Sequence, residues 1–178
     1  MVSLSFFFFF LVALFAIIGA MRGWAKEMLV SFSLILALFI INVIERYVPL
    51  IYNSFAQPGS ISQFWMRMVI LAILVFFGYQ TPNLPKIDSS RFVRERLQDT
   101  LLGLFLGAVN GYLIVGTMWM FLAQANYPFP YISPPVAGTP LGDAALAIMN
   151  WLPPRWLGPP TIYFAIAVAF LFVIVVFI

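Results

Sequence analysis

Residues 99–117 read DTLLGLFLGAVNGYLIVGT, an apolar run that carries Gly103, Gly107 and Gly111 at four-residue spacing. Because four residues are close to one helical turn, the three glycines fall on one face of a helix. In water each glycine would weaken the helix by about 1 kcal/mol relative to alanine. In a membrane a row of small residues instead lets a neighbouring backbone approach closely. The stretch therefore predicts a transmembrane helix whose glycine face is a packing seam.

The composition supports a membrane setting for the whole chain. Of its 178 residues, 63% are hydrophobic and only 8% are charged, whereas soluble domains carry about 25% charged residues. This leaves too little polar surface for a water-facing globule, so the sequence predicts an all-α, polytopic helical membrane protein. No basic stripe with interleaved aromatics is present, and we expect no nucleic-acid partner.

Five apolar runs, near residues 3–21, 28–44, 64–79, 99–124 and 161–178, predict about five transmembrane helices. Residues 1–125 are expected to form a four-helix core, and residues 161–178 an additional C-terminal span. Between them, residues 126–160 hold nine of the 13 prolines. Within this proline-rich loop, residues 141–152 predict a short interfacial or re-entrant helix, with Thr139 as its cap and Pro140 at its first position.

The basic residues predict the orientation. Six lie in the first and third connections, against three on the opposite side. The positive-inside rule then places those connections in the cytoplasm, with the N-terminus outside, the C-terminus inside and the proline-rich loop outward. In the third connection, residues 89–98 predict a short amphipathic helix on the membrane surface, whose lipid-facing basic side chains are Arg91, Arg94 and Arg96.

Two of these stretches resemble signatures of the CvpA (colicin V production protein) family of small bacterial inner-membrane proteins. Residues 22–27 (RGWAKE) are similar to an Arg-Gly-aromatic-x-x-Glu motif after the first helix, and residues 99–111 are similar to an Asp followed by the four-residue glycine row. Thr100 departs from the arginine usual in the family. The motif residues are Arg22, Gly23, Glu27 and Asp99.

The resemblance implies a multi-span protein of the bacterial inner membrane, linked to toxin production or export and to envelope homeostasis, without a defined chemical activity. The chain also lacks cysteine and histidine, which removes thiolate nucleophiles and imidazole general bases. We therefore expect a non-enzymatic protein with no catalytic and no metal-binding residues. It would act through helix–helix contacts as a scaffold, an assembly or export accessory, or a subunit of a larger membrane complex, energy-converting or photosynthetic complexes included. The alternative is a small transporter or channel component.

Four polar side chains permit specific predictions. Arg22 and Asp99 fall at the same membrane boundary, so they could pair, although a carboxylate at a helix N-terminus is favourable without a partner. Asn110 lies near the middle of its helix and could hydrogen-bond a neighbouring helix within the seam of Gly103, Gly107 and Gly111, or form part of a polar path. We expect no ionisable residue in mid-membrane, and we expect Arg67 to reach the headgroups.

Aromatic residues are abundant, with 20 phenylalanines of which five form the unbroken run 6–10. Five consecutive phenylalanines cover every side of a helix, so some must face outward. Facing lipid is the default. The surface could instead hold a bound lipid, quinone or pigment, or contact other membrane proteins in a larger complex or a homo-oligomer. No dedicated cofactor is predicted.

Overall fold

The computed structural model describes residues 4–54, 57–80 and 93–177, which form helices joined by short connections. The helices are α1 (Leu4–Arg22), α2 (Trp24–Tyr47), α3 (Pro49–Ser54), α4 (Ile61–Tyr79), α5 (Val93–Gln124), α6 (Pro140–Met149), α7 (Pro153–Trp156) and α8 (Thr161–Phe177). By length and composition, α1, α2, α4 and α5 can each cross a membrane. The prediction of an all-α, multi-pass membrane protein is confirmed.

The longest helix, α5, joins two segments that the sequence predicted to be separate. It runs without interruption through 32 residues, so residues 93–98 are its first turns and not a distinct surface helix. Asp99 accordingly lies inside α5 and does not begin it. Arg96 is exposed on these first turns. Arg91 and the side chain of Arg94 lie outside the described part of the chain, and the contact of these three arginines with lipid stays a prediction.

The core lies where α2, α4 and α5 meet. Its buried residues on α2 follow helical spacing, which turns one stripe of that helix inward. Together with buried side chains of α4, α5 and α8 they form one cluster, which includes Val30, Leu34, Leu38, Ile41, Leu71, Leu113, Ile114 and Ile162. Helix α1 lies outside this cluster and packs along α5.

Helices α6 and α7 fold back against α5. Thr139 caps α6 by accepting a hydrogen bond from the backbone N–H of Gly142 (3.1 Å), with Pro140 in the first turn, as predicted. Beyond α6, Pro153 lies against Gly116 of α5. Gly116 is about 12 Å before the end of α5, since each helical residue adds about 1.5 Å. The segment between α6 and α7 therefore dips beside α5 well short of that helix's end.

A tyrosine of α5 satisfies the backbone of this dipping segment. The Tyr112 hydroxyl donates to the carbonyl of Trp151 and accepts from the indole N–H of Trp156 (3.1 Å). Irregular backbone inside a membrane needs such pairing, because lipid offers no hydrogen-bond partners; an interfacial or re-entrant position of this segment stays a prediction.

The last helix, α8, runs antiparallel to α2. Tyr163 near its start packs on Phe39 (ring centroids 6.1 Å apart), and Phe172 near its end packs on Phe32 (5.5 Å). With 17 residues it is shorter than the four long helices. A fifth crossing of the membrane stays a prediction.

Candidate functional site: a buried polar cluster

A buried carboxylate lies at the junction of the long helices. Helix α2 begins at Trp24, so Glu27 is in its first turn. Glu27 precedes Val30 and Leu34 on the stripe of α2 that faces the core, and its side chain is completely buried. That spacing is the signal by which the sequence could have located Glu27 in the interior.

Arg22 is the cation that pairs with this carboxylate. Its Nη1 atom lies 2.6 Å from Glu27 Oε1, and its Nη2 atom donates to the backbone carbonyl of Tyr79 at the end of α4 (3.2 Å). The guanidinium also stacks over the Tyr79 ring, 4.4 Å from its centre. Within the described residues the ion pair of Arg22 is thus with Glu27, and the predicted pair with Asp99 is wrong. Glu27 comes within reach because α2 starts directly after the turn at Gly23.

Asn110 of α5 completes the polar cluster, which we define as Arg22, Glu27, Ser31, Tyr79 and Asn110. Its Nδ2 atom donates to the backbone carbonyl and to Oε2 of Glu27, both at 2.9 Å. Its Oδ1 atom accepts from the Ser31 hydroxyl at 2.7 Å. Asn110 thus bonds a neighbouring helix. Glu27 is a charged group in the interior of the bundle, while the absence of ionisable residues from mid-membrane stays a prediction.

Asp99 has a separate task at the turn between α1 and α2. Its Oδ1 atom accepts the backbone N–H of Trp24 (3.0 Å), the first residue of α2. A carboxylate of α5 thereby caps α2, where the helix dipole favours negative charge. Gly23 makes room for it: φ is +86°, and a Cβ there would lie 2.8 Å from both Asp99 carboxylate oxygens. The Arg-Gly motif and the aspartate of the second motif therefore meet at one turn.

The glycine row of α5 lies against α1. A Cβ on Gly107 would come within 2.5 Å of the Phe15 carbonyl oxygen, and one on Gly111 within 2.7 Å of the Phe15 Cβ. Gly103 meets Gly19 of α1 backbone to backbone. Gly19 was not predicted as part of the seam; its small size at the end of α1 was the available signal. The two backbones approach this closely because the four glycines, Gly19, Gly103, Gly107 and Gly111, have no side chains to separate them.

A second ion pair ties α2 to α4 at the opposite end of the helices. Arg67 is bidentate to Glu45, with Nε–Oε1 at 2.6 Å and Nη2–Oε2 at 2.9 Å. Gln63 also donates to Glu45, and Gln124 of α5 accepts from Arg67. The Arg67 side chain is only 13% exposed. The expectation that it reaches the headgroups is therefore wrong: it is held between three helices.

These groups can do structural work across helices. The side chains of Arg22, Asn110 and Arg67 each form hydrogen bonds to a different helix, and such bonds satisfy polar groups that are removed from water. Within the described residues, no group of three or more Asp, Glu, Cys or His is placed to hold a metal ion. The site therefore consists of two interhelical ion pairs, Arg22–Glu27 and Arg67–Glu45, at opposite ends of the bundle, and of the glycine contact between α1 and α5.

The fold and this site together define a multi-pass membrane protein whose helices are clamped by internal ion pairs. Residues 4–136 match the family model of the colicin V production protein, and the chain belongs to that family. The match includes α1 to α5 and stops just before α6. No curated protein and no solved structure shows detectable similarity to the chain.

Proposed function

We propose that the protein is a non-enzymatic scaffold, an assembly or export accessory, of the bacterial inner membrane that acts by binding other membrane proteins. Family membership supports a role connected with production or export of a secreted product, since the family is described as colicin V production protein. The proposed orientation has the N-terminus outside and the turn with Arg22 and Lys26 in the cytoplasm, as the distribution of basic residues favours.

The observation that carries the proposal is the contrast between an interior whose charged groups are paired across helices and an open α1. Glu27 and Asn110 are both completely buried and bonded to each other. Such an interior favours a rigid body over a path for solutes, because moving a solute through it would break buried bonds.

Helix α1 is the element best placed to meet a partner. It is the least buried of the four long helices: 17% of its apolar stretch is buried, against 22% for α4, 33% for α2 and 50% for α5. Phe6, Phe7, Phe9 and Phe10 are each more than half exposed. We propose that an apolar transmembrane helix of another membrane protein covers this phenylalanine face, since aromatic side chains add more contact area per residue than other apolar groups.

Purification in a mild detergent with quantitative mass spectrometry tests the function. A scaffold or accessory should carry a partner in a fixed ratio, and this ratio should fall when Phe9 and Phe10 are replaced by leucine. Recovery of the chain alone, with no protein in a constant ratio, would contradict the proposal.

One observation favours the alternative of a transporter or channel component. A buried carboxylate within a membrane helix bundle is a frequent mark of an ion pathway, and Glu27 is such a group. Ion flux into liposomes containing only this protein, abolished by Glu27→Gln, would establish the alternative. An absence of flux above empty liposomes would remove it.

A further inference from the structure

An apolar cavity of ≈ 280 Å³ lies between α2, α4 and α8. Its walls include Leu29 and Leu36 of α2, Phe77 of α4, and Ile166, Phe170 and Val173 of α8. Phe77 and Phe170 are 65% and 58% exposed, so the cavity has a side open to the surroundings of the bundle. One wall is α8, which lies beyond the family match at residues 4–136. The cavity therefore depends on the part of the chain outside that match.

The hydroxyl group that lines the cavity, that of Ser33, already forms a hydrogen bond within the protein. The Ser33 hydroxyl donates to the backbone carbonyl of Leu29 (3.0 Å), within its own helix. A ligand in the cavity is thus recognised by its apolar surface. An apolar gap that stays empty would lose dispersion contacts on all its walls, and in a membrane the abundant filler is an acyl chain.

A lysine, Lys26, lies on α2 close to one end of the cavity. Lys26 precedes Ser33 by two helical turns on one face of α2, about 10 Å along the axis. It forms no ion pair with any described residue, whereas the neighbouring Arg22 is balanced by Glu27. This charge, which has no counter-ion among the described residues, lies in the first turn of α2, where the sequence predicts a membrane boundary.

We propose that this face of α2 binds one anionic phospholipid, with an acyl chain in the cavity and the phosphate on Lys26. The charge of Lys26 and the apolar walls each match one half of such a molecule. The site goes beyond the proposed scaffold function, because it involves α2, α4 and α8 and not the open face of α1.

Native mass spectrometry of the purified chain tests the site, with dioleoyl phosphatidylglycerol or dioleoyl phosphatidylcholine added to the detergent. The wild-type protein should retain one phosphatidylglycerol in preference to phosphatidylcholine. Lys26→Gln should reduce that preference about fivefold, while Arg155→Gln, which removes a positive charge from an exposed position of α7, should leave it unchanged. An unchanged preference in Lys26→Gln would overturn the proposal.

A second pair of variants tests the cavity itself. Ala169→Trp places a large ring in the cavity wall, and Val168→Trp places the same ring on a side chain that is 65% exposed. Ala169→Trp should lose the retained lipid, and Val168→Trp should keep it. Equal retention by both would overturn the proposal. Should Ala169→Trp fail to fold, the Lys26→Gln comparison still decides, because Lys26 lies outside the buried core.

Discussion

The Asn110 amide of α5 donates to the Glu27 carboxylate of α2 over 2.9 Å, although the two residues are 83 positions apart in the sequence. Both side chains are completely buried. Within the polar cluster, the Asn110 amide forms hydrogen bonds to residues of α2. One pair therefore connects the motif after α1 to the glycine helix, and it fixes where α2 crosses α5.

Replacing Asn110 with leucine should destabilise the protein by about 1–3 kcal/mol, because the buried Glu27 carboxylate and the Ser31 hydroxyl would each lose a partner. Asn42→Leu is the matched control, since the Asn42 amide bonds only the Leu38 carbonyl of its own helix. Unfolding in mixed detergent–SDS micelles measures the free energy of unfolding of both variants. Equal destabilisation by the two variants would show that the interhelical bonds of Asn110 add nothing.

The Arg22–Glu27 pair should be more costly to break than to replace. Arg22→Gln leaves a buried carboxylate without its cation, and we expect a loss of about 3–5 kcal/mol. The double variant Arg22→Met/Glu27→Leu should be less destabilised than Arg22→Gln, because no buried charge remains. The same unfolding titration measures the stability of both variants. A double variant that is less stable than Arg22→Gln would contradict the assignment of Arg22 as the counter-ion of Glu27.

Alanine substitutions at Gly23 and Gly138 compare backbone strain alone with backbone strain plus the loss of the Asp99 cap. Gly23 and Gly138 have nearly the same positive φ, +86° and +84°, but a Cβ on Gly138 would meet nothing within 4 Å. Alanine at either position is strained by the positive φ, and the conformation of Gly23, with ψ at 159°, is one that glycine alone adopts readily. Gly23→Ala must in addition displace the Asp99 carboxylate that caps α2, so it should be the more destabilising variant in a thermal unfolding assay. Equal losses would mean that the cap contributes nothing.

The close approach of α1 and α5 can be tested with a disulfide, because the chain contains no cysteine. A Cβ on Gly111 would lie 2.7 Å from that of Phe15, and a small relaxation brings the pair to the roughly 3.5–4.5 Å that a disulfide requires. Phe15→Cys/Gly111→Cys should therefore lose maleimide labelling after mild oxidation in membranes. Ile17→Cys/Gly111→Cys, with residue 17 on the exposed face, should stay labelled. The reverse pattern would contradict the α1–α5 packing.

The sequence indicated the helical membrane class and the glycine row because both depend on hydropathy and spacing along one helix. It did not indicate the partner of Arg22. Two charges at the same membrane depth can lie on different sides of a bundle, and depth alone does not give the direction in which a side chain points. Glu27 was placed in a connection because charged residues interrupt the apolar run, whereas α2 already begins at Trp24.

The dip between α6 and α7 was harder to foresee for a related reason. Its prolines indicate irregular backbone, but the bond from the Tyr112 hydroxyl to Trp151 joins residues 39 apart. Such a pairing depends on how the segments pack, which local patterns do not specify. The role of Arg67 was missed in the same way, since its partners Glu45 and Gln124 belong to other helices.

We propose above that another membrane protein binds the phenylalanine face of α1. Site-specific photocrosslinking in living cells tests it most directly, with the photoreactive residue at Phe6, Phe9 or Phe10. Val168 of α8 is the control, because its exposed fraction of 65% is close to the 58% of Phe9. We expect the same protein to be crosslinked from all three α1 positions and no such product from position 168. Lipid adducts alone from α1, or identical products from α1 and position 168, would contradict it.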